Sequence, residues 1–311
     1  MILHGLLLVI GFALLIKGAD WFTGSASAIA SKAGISQLVT GLTIVAIGTS
    51  IPEAAVSISS AVKGDAGLAV GTVIGSNILN VLFILGITAM LVPLDIQKST
   101  ARVEMPLMAA VSGIMVLLGL GDNMLGRGDG AVLLALFLIY LVYLISVNKR
   151  EYEQEKSYSS YEEKSVPGLI VFLVLGLSMT VFGSCAAVDA AAGIALEFGV
   201  SSRVIGLTVI ALGTSLPELA TCIAAAAADN TDMAMGDIVG SNIFNILFVM
   251  GATSVITPLE YSSVFLVDSI FCIGSAILLC IFVLNRERQL RRMGGIVMMI
   301  VYLAYFCITA F

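Results

Sequence analysis

Two glutamates stand inside apolar stretches of this chain, each directly after a proline. Glu53 closes Gly48-Thr49-Ser50-Ile51-Pro52-Glu53, and Glu218 closes Gly213-Thr214-Ser215-Leu216-Pro217-Glu218. Carboxylates, hydroxyls and main-chain carbonyls are hard oxygen donors, the set that calcium prefers and that sodium also accepts. Proline supplies the carbonyls. It lacks an N–H and its ring clashes with the carbonyl four residues earlier, here that of Gly48 or Gly213. A kink or an unwound turn is expected, freeing carbonyl oxygens from Ala46 to Thr49 and from Ala211 to Thr214. A second motif, Gly-Ser-Asn-Ile-x-Asn, puts Ser76 and Asn80 on one helix face and repeats this with Ser241 and Asn245. These neutral groups suit the completion of a coordination shell, or the holding of a water beside the carboxylates. Asn77 and Asn242 are turned about 100° from them and suit bonds between helices or to the broken backbone.

Both motifs occur twice at one offset. GLTIVAIGTSIPEAAVSIS from Gly41 returns as GLTVIALGTSLPELATCIA from Gly206, and AVGTVIGSNILNVLFILG from Ala69 returns as AMGDIVGSNIFNILFVMG from Ala234, each 165 residues later. Small residues gather wherever membrane helices pack closely. Packing does not explain Pro-Glu in the middle of an apolar span, twice, at one offset. A carboxylate at the bilayer centre costs roughly 2.5–3.5 kcal/mol, which a bound cation or a proton offsets. Lys17, Lys63 and Arg203 are expected near span ends, out of reach of both glutamates.

The elements that position these residues follow from the hydropathy. Of 311 residues 59% are apolar and 12% charged, against roughly 25% charged in soluble domains. Mean hydropathy is +1.07. The solvent for most of the chain is therefore lipid. Ten apolar runs are long enough to cross it: 2–31, 35–62, 67–92, 104–120, 130–147, 167–196, 201–228, 233–257, 263–285 and 293–311. The first lacks a basic leader and is interrupted by Lys17 and Asp20, so it is read as retained. The one long hydrophilic stretch, NKREYEQEKSYSSYEEK from Asn148, divides the chain into a five-helix half at 1–147, a linker at 148–166 and a five-helix half at 167–311. An odd number of spans per half inverts the second half. The expected fold is all-α and polytopic, ten transmembrane helices in two inverted repeats, with equivalent residues meeting at the bilayer midplane. Eleven basic residues fall on the linker side of the membrane, and only Lys63, Arg127 and Arg203 on the other. The positive-inside rule then puts the 148–166 loop in the cytoplasm and both termini outward.

Several classes are disfavoured. No basic patch with interleaved aromatics points to nucleic acid. The five cysteines lie in apolar runs without a CxxC pair, as small buried hydrophobes do. A serine hydrolase lacks its base, because His4 is the only histidine. Gly119-Leu120-Gly121-Asp122 matches a GxGD protease pattern but sits at a span end, where a turn is expected. A passive channel usually assembles around an axis along the membrane normal, unlike an inverted repeat within one chain.

The pairs GTSIPE/GTSLPE and GSNILN/GSNIFN resemble the two alpha repeats of the cation/calcium exchanger superfamily, and most of all the prokaryotic sodium/calcium exchangers. The resemblance covers nearly the whole chain. It implies a secondary antiporter, not an enzyme, that exchanges sodium for calcium by alternating access, with long first and sixth helices sliding across the core. It implies ion ligands at Glu53 and Glu218, at Ala46, Thr49, Ser50, Ala211, Thr214 and Ser215 of the two turns, and at Ser76, Asn80, Ser241 and Asn245. Some relatives carry Asp where this chain has Asn245; the site here is expected to be chemically symmetric, with two acids and two amides. Proton/calcium relatives share the architecture, so a proton or another divalent-cation exchange is the alternative. No cofactor is expected, only calcium and sodium as substrates, in a monomer within the inner (plasma) membrane.

Overall fold

A computed structural model describes residues 2–151, 164–198, 211–262, 264–283 and 287–310. Almost all of them are helical. We label the helices α1 (Ile2–Ala33), α2 (Gln37–Thr49), α3 (Ile51–Val62), α4 (Ala66–Leu91), α5 (Thr100–Asp122), α6 (Arg127–Glu151), α7 (Val166–Glu197), α8 (Leu216–Ala227), α9 (Thr231–Ile256), α10 (Phe265–Val283) and α11 (Arg292–Ala310). Among the described residues eight helices are long and apolar enough to cross a membrane. The bent pair α2–α3 makes a ninth. The expected span 201–228 is described only from Ala211 on, as a short turn Ala211–Gly213 followed by α8. Most of the 148–166 linker likewise lies outside the described residues.

The element boundaries carry the duplication. α3 and α8, α4 and α9, and the starts of α5 and α10 and of α6 and α11 are each separated by the 165 residues that separate the motifs. Four two-residue strands follow the same rule: β1 (Leu94–Asp95), β2 (Met124–Leu125), β3 (Leu259–Glu260) and β4 (Gln289–Leu290). β1 pairs antiparallel with β4, and β2 with β3. Exchanging the halves turns one ribbon into the other. The length of α5, which runs between β1 and β2, puts the ribbons at opposite ends of the bundle.

Loops sort accordingly. Asn148 bonds Gly34 and Ser36, the Ile96 N–H donates to the Arg288 carbonyl, Gln97 donates to Asp232, and Asn230 to Gln37. These loops share the β1–β4 face with Lys98, Arg288 and Arg291, while Lys63 and Arg127 belong to the β2–β3 end.

Burial sets the layering. Within their apolar windows, 83% of α9 and 72% of α4 is buried inside the protein, against 28% for α1 and α7 and 17% for α11. Two central helices are thus sheathed by others whose outward faces are apolar, as lipid requires. α1 and α7 run antiparallel and close together: a methyl at Gly11 would lie 2.7 Å from the Ala187 nitrogen. α2 reaches α9 by the same means, since a methyl at Gly236 would lie 2.7 Å from the Leu38 carbonyl.

Candidate cation site

The proline breaks appear where the residue order dictates. α2 ends at Thr49, Ser50 leaves helical geometry at φ −82° and ψ 5°, and α3 departs at 47°. Ser215 repeats this with φ −94° and ψ 6°. The break is a sharp bend rather than a broad unwinding. Ala46 stays within the helical ladder, accepting from the Ser50 N–H at 3.1 Å. Of the freed carbonyls, that of Gly213 is taken by the Ser184 hydroxyl of α7 at 2.7 Å. Glu53 and Glu218 lie in the first turns of α3 and α8, where the positive helix ends favour a carboxylate. The carbonyl end of α2 faces the same point, where it favours a cation.

The two glutamates are fully buried and are cross-linked between the halves. Ser50 donates to Glu218 Oε1 at 3.3 Å, and Ser215 donates to Glu53 Oε1 at 3.2 Å. Hydroxyls of Thr214 and Ser76 also border Glu53. The other oxygen of each, Oε2, is buried without a hydrogen-bond partner among the described residues.

The amides are arranged in the same way. Asn80 Nδ2 donates to Asn242 Oδ1 at 3.1 Å, and Asn245 Nδ2 to Asn77 Oδ1 at 3.2 Å. Oδ1 of Asn80 and of Asn245 is left buried without a hydrogen-bond partner among the described residues. Asn80 and Asn245 each open a wide π-turn, at Asn80–Ile84 and Asn245–Met250, a local widening often found at functional positions. Ser241 donates to the Ala46 carbonyl at 3.3 Å, tying α9 to the first turn. Ala211 opens the short turn before Thr214 and Ser215.

One expectation fails. The site is not symmetric, because a third acid, Asp237, is fully buried on α9. It accepts from Thr221 at 2.6 Å and from Thr49 at 3.3 Å. The signal was present in the repeat, where Asp237 stands opposite Thr72 in an otherwise apolar span. Lys17 is also not at a span end. It lies in the middle of α1 on an exposed flank, 2.7 Å from Asp20. Among the described residues no lysine, arginine or histidine is buried.

Among the described residues, four of these buried oxygens meet no donor and the buried acids meet no buried base. The sequence model of the sodium/calcium exchanger protein family matches twice, over residues 3–146 and 168–311. The chain belongs to that family. It is 38% identical to the inner membrane protein YrbG of Escherichia coli, over 88% of this chain and 89% of that one. It is 30% identical to the sodium/calcium exchanger MaX1 of Methanosarcina acetivorans, over 96% of each. Among solved structures it resembles the sodium-calcium exchanger NCX_Mj soaked with 10 mM Na+ and zero Ca2+, with a TM-score of 0.85, 30% identity and 99% of both chains covered.

Proposed function

We propose that this multi-pass membrane protein is an antiporter that exchanges sodium for calcium at a central site built by both halves. The observation that carries the reading is a matched set of four buried oxygens without partners among the described residues: Oε2 of Glu53 and Glu218, and Oδ1 of Asn80 and Asn245. Carboxylate and amide oxygens are hard ligands, and a cation among them balances two buried acids. Ser50, Ser215, Thr49, Thr214, Ser76, Ser241 and the carbonyls of Ala46 and Ala211 make up the remaining shell.

The chain forms ten spans in two inverted five-helix repeats, 1–147 and 167–311, joined by the 148–166 linker. The repeated element boundaries and the exchanged strand ribbons support this arrangement. The basic residues gathered on the β1–β4 face support a cytoplasmic linker and outward termini. The protein works as a monomer in the inner membrane, since one chain supplies both halves of the site. The closely apposed pair α1 and α7 moves across the core to open the site to either side.

Calcium uptake into proteoliposomes loaded with sodium, choline or potassium, or set with a pH gradient, tests the reading. Uptake driven by the outward sodium gradient supports it. Uptake driven by protons would transfer the same site to a proton/calcium exchanger, and uptake without any opposing gradient would make it a channel.

A further inference from the structure

A cavity of about 320 Å³ opens on the β1–β4 face, with room for about ten water molecules. Asp95 and Asp229 are exposed at its rim and Asp232 is half-buried beside them, and among the described residues no lysine or arginine lines it. Gln37 and Asn230, both buried, lie at its inner end. Asn230 Nδ2 donates to Gln37 Oε1 at 3.0 Å. Gln37 Nε2 in turn reaches α1, where it donates to the Ser27 carbonyl at 3.3 Å and to the Ser31 hydroxyl at 3.4 Å. One residue pair thus ties together α1, the start of α2 and the turn before α9, at the bottom of an acidic cavity.

Behind Gln37 a hydroxyl stripe runs along α1. Thr23, Ser27 and Ser31 recur every fourth residue and share one helix face. The buried Thr23 hydroxyl is taken by the Ala19 carbonyl of its own helix. That of Ser27 is buried without a hydrogen-bond partner among the described residues. The stripe begins at the level of the exchange site, where the Phe22 ring packs on Gly48: a methyl at Gly48 would lie 2.8 Å from it. Ser31 lies about 14 Å further along α1. The stripe therefore covers the distance from the first Gly-Thr-Ser turn to the cavity.

The second half carries no such stripe. The counterparts of Thr23, Ser27 and Ser31 are Val188, Ala192 and Leu196. The counterpart of Asn230 is Asp65, which caps α4 as Asn230 caps α9, but a carboxylate has no N–H to donate. Duplication accounts for the cap and not for the amide. Helix packing accounts for neither a buried hydroxyl without a partner nor an acidic cavity next to it.

We propose that the Gln37–Asn230 bond is the gate on the β1–β4 side of the exchange site, and that ions pass between cavity and site along the Thr23–Ser27–Ser31 face of α1. Cations gather at the acidic rim, since a cleft lined by one sign of charge raises the local concentration of counter-ions. Breaking the bond frees Gln37 to leave α1 and uncovers the Ser27 hydroxyl, whose oxygen replaces a water of the passing ion. The inference rests on the sodium/calcium reading above and adds to it the residues that close one side.

The test uses the full-length chain carrying Ser27→Cys, with the chain of native cysteines as the blank. A charged, membrane-impermeant methanethiosulfonate is added to sealed vesicles of either orientation, and labelling is counted by mass. Lys98→Cys, exposed on the β1–β4 face, marks that side. With the gate intact the thiol introduced at position 27 is expected to react slowly. Gln37→Met keeps the length of the side chain and removes its hydrogen-bonding groups. It is expected to speed labelling roughly five- to tenfold, the effect of one lost hydrogen bond on the opening equilibrium, and only from the β1–β4 side. Asn230→Ser still caps α9 but is too short to reach Gln37, and is expected to do the same, so either variant carries the test if the other does not fold. Thr23→Cys replaces the reporter should Ser27→Cys not fold. Labelled vesicles are expected to lose sodium-driven calcium uptake, because the adduct fills the path. Unchanged labelling rates in the gate variants, faster labelling from the opposite side, or full uptake after complete labelling overturns the inference alone. Wild-type vesicles whose calcium uptake does not depend on sodium sink the exchange reading and this inference with it.

Discussion

Asn77 and Asn242 hold each other across the centre of the protein: each side-chain amide donates to the other's main-chain carbonyl, at 3.2 and 3.1 Å. The two residues are equivalent positions of the repeat, so the pair lies on the pseudo-symmetry axis. Their own Oδ1 atoms then receive Asn245 and Asn80. This amide cluster fixes α4 against α9 and sets the distance between the halves of the site. Leaving a buried partner unsatisfied costs about 1–3 kcal/mol. Asn242→Ala and Asn77→Ala should therefore each lower the thermal midpoint of the purified protein by several degrees and by similar amounts. A marked inequality would mean that the axis is not where the load is shared.

Glu53→Gln and Glu218→Gln keep the shape of the side chain and remove the charge. Even outer-shell changes at ion sites cost up to about 100-fold in affinity, so each should weaken calcium binding by at least that much. Sodium-driven calcium flux in proteoliposomes should be abolished, while size-exclusion behaviour stays normal. Flux at the wild-type rate in either variant would remove that glutamate from the site.

Ser50→Ala and Ser215→Ala each delete one hydroxyl donor to the opposite glutamate. A hydrogen bond to a charged group contributes about 1.5–3 kcal/mol, roughly a 10- to 100-fold loss in apparent calcium affinity. The two losses should agree within a few-fold, because the contacts are equivalent. Radioactive calcium uptake against calcium concentration measures both.

Gly11→Leu tests the movement of the close α1–α7 pair across the core. Any side chain there meets the Ala187 backbone and forces the helices apart. The exchange rate should fall about tenfold or more, as misplacement far from the reacting centre can do, while stabilisation of the detergent-solubilised protein by calcium persists. Parallel loss of both would mark Gly11 as structural only.

Much of this was legible in the residues because two signals were unusually strong. Apolar runs bounded by polar breaks placed α4 at 67–92 against the observed Ala66–Leu91, and α9 at 233–257 against Thr231–Ile256. Pro52 and Pro217 located the bends, since a missing N–H acts locally. Three features were not legible, each for a physical reason. The ribbons are two residues long, too short to show the alternation that betrays a strand. The π-turns at Asn80 and Asn245 have no propensity of their own and depend on what packs beside them. Asp237 stood in plain view at the position of Thr72, but its partner Thr49 lies in the other half, 188 residues away.

The crossed ribbons bear on how the chain is made. Synthesis proceeds from the N-terminus, and domains generally fold in that order. The first half leaves the ribosome with β1 and β2 both unpaired and Asn77 facing no amide. β3 arrives with the second half, and β4, at Gln289–Leu290, only when a single helix remains to be made. A nascent chain halted at the linker therefore presents open edges at both membrane faces and a half-built polar centre. The repeats are a duplication in sequence, but each completes its edges and its polar centre only against the other.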